Sequence, residues 1–231
     1  MTDRPVTRPT FRDRARTQVE PFARLLGRVG LTPNALTLIG FGIAVVAAWM
    51  ATRQAWLAAG LLVAFGAIFD LFDGALARAT NRTSRLGAFM DSTFDRAGEA
   101  VVYIGIAVGA VIFGGFYFAA VAAMAAMAAS FMVSYTRAKA ESLGFSSGTG
   151  LANVGVGPRE VRMVILVIGL VIAGSGPLLV PSASLPGTED RTTAGTVMLL
   201  TLGLIAVLAT ITTIQRILFV FRESKSQEVN D

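Results

Sequence analysis

A chain of 231 residues that is 54% hydrophobic, with mean hydropathy +0.64, is too apolar for an ordinary soluble domain, and it holds several apolar runs long enough to cross a hydrocarbon core. With no cysteine and no histidine it can form no disulfide, cysteine-ligated metal site or thiolate nucleophile, and it lacks the usual general base and the commonest metal ligand, so acid-base or metal chemistry falls to carboxylates. The formal net charge of +5 comes mostly from basic residues beside the apolar runs, which argues for membrane orientation and against a nucleic-acid surface.

The chain opens with a basic stretch in which Phe11, Ala15, Val19, Phe22, Leu25, Leu26 and Val29 recur at three- to four-residue spacing among arginines. This pattern predicts an amphipathic juxtamembrane segment over 1–33, broken near Pro21, and no short apolar core with a small-residue cleavage site marks a removable signal peptide. In LTPNALT, Thr32 is placed to cap a helix that starts at Pro33, whose first-turn amides would favour an anion. Six apolar runs follow, near 35–51, 55–78, 86–113, 115–136, 161–180 and 194–215, and all are expected to be helices because an open sheet cannot satisfy its backbone in lipid. The expected fold is an all-α integral membrane protein: one six-helix domain over 34–219 and a polar tail over 220–231.

The connections sort by charge. Seven arginines precede the first run; Arg82 and Arg85 lie between the second and third, Arg137, Lys139, Arg159 and Arg162 flank the fourth-to-fifth connection, and Arg216, Arg222 and Lys225 follow the sixth. The opposite side carries only Arg53 and Arg191, so both termini and the even-numbered connections are expected in the cytoplasm.

Between the second and third runs the apolar pattern is interrupted by DLFDGALARATNRTSRLGAFMDSTFD. On a helix, Asp70, Asp73, Gly74 and Ala77 share one stripe, and Gly87, Asp91 and Asp95 share another. Small residues on those stripes let a helix or a ligand approach closely. Each ionised carboxylate near the bilayer centre costs roughly 3 kcal/mol on insertion scales. Four of them need a counterion, and no lysine or arginine except Arg78 and Arg96 lies on these two runs near enough to supply it. A divalent cation held by oxygen ligands meets that need; magnesium suits carboxylates, water and phosphate oxygens, with manganese as a substitute. A proton-coupled transporter, or a scaffold built on helix contacts such as Gly105-x3-Gly109, is the alternative from another class.

The pattern Asp70-x2-Asp73-Gly74-x2-Ala77-Arg78-x8-Gly87-x3-Asp91-x3-Asp95 resembles, without departure, the signature of the CDP-alcohol phosphotransferase family. That resemblance implies a homodimeric enzyme with two metal ions, which transfers a phosphatidyl group from a CDP-linked lipid to an alcohol and releases CMP. It implies Asp70, Asp73 and Asp91 as metal ligands and Asp95 as the base for the acceptor hydroxyl, also near metal, while Gly74, Ala77, Arg78 and Gly87 accommodate the CDP-lipid. Thr37, at the same end of the first run, is a further candidate for nucleotide contact.

The acceptor is a separate question. Ser134, Arg137 and Lys139 in SYTRAKAE, with Arg159 and Arg162 beyond a glycine/serine-rich connection, read equally as an orientation signal or as a phosphate pocket. The run is similar to the SY-x-x-A-(R/K)-AE stretch of actinobacterial phosphatidylinositol phosphate synthases, which implies inositol 1-phosphate as acceptor. Glycerol 3-phosphate, as in phosphatidylglycerophosphate synthases, is the second possibility. Gly105 and Gly109 with the alanine-rich run VAAMAAMAAS are expected to form close helix contacts, either between two copies or within one.

Overall fold

A computed structural model describes residues 30–79, 83–145, 151, 154–175 and 190–228. All regular structure among them is helical: α1 (Pro33–Thr52), α2 (Trp56–Ala79), α3 (Arg85–Gly109) running into a π-helical segment (Ala110–Gly114), α4 (Tyr117–Ser142), α5 (Arg159–Gly174) and α6 (Asp190–Glu228). The expected amphipathic segment before Gly30 and the glycine/serine-rich connection at 146–150 lie outside the described residues.

Local chemistry accounts for the helix ends. Thr32 caps α1 as expected, its Oγ1 accepting from the Ala35 amide at 3.2 Å, and Ser84 caps α3, its Oγ accepting from the Gly87 amide at 2.9 Å. The third run does not stay regular to residue 113: after Gly109 it widens into the π segment, and the chain turns at Gly115, whose φ of +67° is the left-handed conformation glycine tolerates. α4 extends past 136 to Ser142 and α6 past 215 to Glu228, so much of the expected polar tail is helix. No glycine or proline stands between Arg216 and Glu228 to stop it.

Among the described residues, four helices are long and apolar enough to cross a membrane: α1, α2, α4 and Thr193–Ser226 of α6. α3 is less apolar because it carries Arg85, Asp91, Asp95, Arg96 and Glu99, and α5 has 16 residues.

The described residues divide into two compact units, one formed by those up to Ile43 with those of Phe65–Gly98 and the other by Ala44–Ala64 with those from Glu99 onward. In the first, Leu36, Ala75 and Leu76 are buried among Leu31, Phe69 and Phe72. Phe69, Phe72 and Leu76 form a stripe of α2 next to the one that carries Asp70, Gly74 and Ala77. Phe41 of α1 meets Phe94 of α3 with ring centroids 5.1 Å apart.

The second unit is packed with small residues. Ala47, Ala51, Ala59, Ala119, Ala123 and Ala126 are buried with Tyr103, Ile106, Leu166, Leu170, Met198 and Leu202. A Cβ at Gly105 would collide with the Ala48 carbonyl, and one at Gly109 with the Ala51 carbonyl. Of the two uses foreseen for these glycines, the fold adopts the internal one: they admit α1 to backbone distance, where van der Waals contact replaces the missing hydrophobic driving force in lipid. A contact between copies of the chain through this pair is therefore not available.

Candidate active site

In the first unit the acidic face is shaped by missing side chains. A Cβ at Gly40 would stand 3.3 Å from Asp70 Oδ1, so glycine lets the α1 backbone lie beside that carboxylate. A Cβ at Gly74 would stand 3.3 Å from Arg78 Nη1; the Arg78 guanidinium folds back over the glycine, one turn earlier on the same stripe as Asp70. Gly87 faces Asn34 in the same way, with Asn34 Oδ1 3.4 Å from where its Cβ would be. Ala77 is half-buried, and Thr37 is buried with its hydroxyl donating to the Pro33 carbonyl at 3.2 Å.

On α3, Asp91 is half-buried and Asp95 more enclosed, its side chain 14% exposed with Oδ2 3.4 Å from Arg96 Nη1. Asp73 lies on α2 as expected, but its side chain is outside the described residues. Among the described residues no three carboxylates converge closely enough to hold an ion. The donor set does fit one chemically: Asp70, Asp91 and Asp95 supply hard oxygen donors.

The cations of the second unit are held differently. Ser134 donates to the Ser130 carbonyl at 3.4 Å, and Arg137 Nε to Glu141 Oε1 at 2.7 Å in a partly exposed pair. Lys139 is exposed near the end of α4, and Arg159 is the first residue of α5 after Pro158. Arg162 is 1% exposed and bound to Glu99 and to the Gly157 carbonyl. Arg216 is buried too: Nε donates to the Val154 carbonyl at 3.1 Å and Nη1 to the Val133 carbonyl.

Two of these residues were not singled out by sequence. Arg216 read as a flanking cation because the sixth apolar run was ended before it, although ILFVF follows directly. Glu99 carried a usable signal, since the spacing Asp91, Asp95, Glu99, Tyr103 continues the acidic stripe by four residues at a time.

Comparison with known proteins bears on the same features. A model of the CDP-alcohol phosphatidyltransferase family matches residues 30–219. An archaetidylinositol phosphate synthase of Pyrococcus horikoshii is 37% identical over 158 residues, 68% of this chain and 79% of the relative. A phosphatidylinositol phosphate synthase of Streptomyces avermitilis is 31% identical over 205 residues, 88% of this chain and 78% of the relative. The crystal structure of Mycobacterium tuberculosis phosphatidylinositol phosphate synthase with CDP-DAG bound superposes with TM-score 0.71 at 27% identity, covering 88% of this chain and 93% of that one; a second structure of that enzyme, with the same score, identity and coverage of this chain, contains manganese and citrate. The match begins at the turn before α1, takes in both acidic stripes and runs into α6, and the chain is a transferase of the CDP-alcohol phosphatidyltransferase family.

Proposed function

We propose that this enzyme transfers the phosphatidyl group of CDP-diacylglycerol to inositol 1-phosphate, giving phosphatidylinositol phosphate and CMP. The observation that carries the reading is the intact acidic motif on α2 and α3, with glycine at the positions beside Asp70, Arg78 and Asn34. The bacterial and archaeal relatives support the acceptor, since their names differ in the lipid and share the inositol phosphate.

Asp70, Asp73 and Asp91 would hold two Mg2+ ions, with Asp95 beside them and Mn2+ as a substitute. When bound, such ions offset the charge of the pyrophosphate and of the leaving CMP. The residues of the chain do the rest. Arg78 adds a fixed cation for the donor phosphates, and Gly74, Ala77, Gly87 and Thr37 shape the space for the nucleotide. The acceptor hydroxyl attacks the phosphorus that bears diacylglycerol; a new P–O bond forms, the P–O bond to CMP breaks, and the hydroxyl proton passes to Asp95. Arg137, Lys139 and Arg159, with the Ser134 hydroxyl, would bind the acceptor's phosphate. The charge pattern supports six spans in the cell membrane, with both termini and the active site cytoplasmic. A homodimer, if it forms as in the family, uses a surface other than Gly105 and Gly109.

The test is incubation of the purified protein with CDP-diacylglycerol, Mg2+ and separately inositol 1-phosphate, glycerol 3-phosphate or free inositol, followed by mass spectrometry of the lipid. Phosphatidylinositol phosphate as the main product is expected. Faster conversion of glycerol 3-phosphate would move the assignment to phosphatidylglycerophosphate synthesis, and equal use of free inositol would remove the phosphate pocket.

A further inference from the structure

Arg162 sits one turn into α5, and its bonds are buried. Nη2 donates to Glu99 Oε1 and Oε2 at 3.3 Å each, Nε reaches Oε1 at 3.4 Å, and Nη1 donates to the Gly157 carbonyl at 2.8 Å. Glu99, 6% exposed, also accepts from the Tyr103 hydroxyl at 3.2 Å. The other side of the same turn is fastened to α6: the Gly157 amide donates to Thr212 Oγ1 at 2.8 Å, the Val156 amide to Gln215 Oε1 at 3.2 Å, and Arg216 holds the Val154 carbonyl. A Cβ at Gly155, at φ +125°, would collide with Thr212, and one at Gly157 would stand 3.1 Å from Leu208 Cβ. The segment 154–158 is thus bonded from both sides, and Pro158, which lacks an amide hydrogen, delivers the chain into α5 with Arg159 first.

A buried ion pair is a poor way to gain stability, because well-packed apolar side chains of similar size often do as well or better. The geometry here gives the pair another use, since Nη1, the guanidinium nitrogen not directed at Glu99, donates to the carbonyl of the peptide two residues before Arg159. We propose that Glu99 and Arg162 are positioning residues for the acceptor subsite: anchored on the Gly157 carbonyl, they fix the turn that presents Arg159 to the acceptor's phosphate, and Arg162 does not itself touch that phosphate. This rests on the reading of Arg159 given under the proposed function.

Steady-state kinetics on the purified full chain test it, with inositol 1-phosphate and CDP-diacylglycerol varied in turn and Tm measured for each protein. The double variant Glu99→Leu/Arg162→Met removes both charges; it also takes away the partners of the Tyr103 hydroxyl and the Gly157 carbonyl, and should fold with a modestly lowered Tm. Its KM for inositol 1-phosphate should rise by about five-fold or more, the scale of a lost hydrogen bond to a charged group, while the KM for CDP-diacylglycerol stays within about two-fold. Adding Arg159→Gln to it should raise the acceptor KM by less than the product of the separate effects, because both act through one contact. A folded double variant with a wild-type acceptor KM, equal losses for both substrates, or multiplicative effects with Arg159→Gln would overturn the proposal. If the double variant does not fold, Thr212→Val, which removes one hydroxyl from the turn and no charge, is judged by the same three criteria. A wild type that is active on phosphorylated alcohols but insensitive to Arg159→Gln would overturn the reading of Arg159 and the proposal with it. An unchanged double variant beside a sensitive Arg159→Gln would overturn the proposal alone.

Discussion

The two units of this enzyme carry their charged groups by different means. In the first, Asp70 to Arg78 lies on one helix and Gly87 to Asp95 on the next, and each set is ordered by the helical repeat alone. In the second, the buried bonds that hold Arg162, Arg216 and the turn before Arg159 include ones between positions far apart in the chain: 63 residues between Glu99 and Arg162, 55 between Gly157 and Thr212, 83 between Val133 and Arg216. Carboxylates on a helix face can meet a substrate wherever the helix stands. A guanidinium at the first position of a helix, as at Arg159, needs the preceding turn to be held, and here buried side chains hold it.

If the first region performs the chemistry and the second recognises the acceptor, substitutions should separate rate from affinity. The largest loss is expected at Asp91: Asp91→Asn replaces a carboxylate by a weaker ligand for a hard cation. It should lower kcat on the order of 10³-fold, since a metal's charge stabilisation is worth several kcal/mol. EDTA should abolish wild-type activity and Mg2+ or Mn2+ restore it; CMP release measured after rigorous chelation checks both. Asp95→Asn should cost about 10²-fold or more in kcat, the scale of a lost general base, with CDP-diacylglycerol binding largely kept because the other three aspartates remain. Loss of donor binding in parallel with turnover would make Asp95 mainly a metal ligand.

Smaller effects belong to the second unit. Arg137→Gln and Arg159→Gln should each raise the KM for inositol 1-phosphate several-fold, as expected for a charge-assisted hydrogen bond, and leave the donor KM near wild type. Inverted topology with normal kinetics, read by labelling of the two membrane faces, would reduce the cluster to an orientation signal. The smallest effect is expected at Glu141. Its pair with Arg137 is 41–44% exposed, so Glu141→Gln should change acceptor KM by about two-fold at most, downward if the carboxylate competes with phosphate for the guanidinium.

How far the sequence discloses this arrangement follows from the same contrast. The helices, the caps at Thr32 and the acidic stripes are readable because they depend on neighbours within a few residues. The extension of α6 past Arg216 was missed because the charge was read as the end of a span, when it is a buried donor to two carbonyls. Gly105 and Gly109 announced a close helix contact without saying with what; the fold supplies α1. Glu99 continues a visible stripe, but its partner Arg162 lies on α5, beyond the whole of α4, and no local pattern connects them.

The most direct test sets Asp95→Asn and Arg159→Gln side by side in two-substrate kinetics with CDP-diacylglycerol and inositol 1-phosphate. The account predicts a clean split: kcat falls for Asp95→Asn with both KM values near wild type, and acceptor KM rises for Arg159→Gln with kcat and donor KM little changed. The reverse pattern, with Arg159→Gln losing turnover at saturating acceptor and Asp95→Asn losing only affinity, would contradict it.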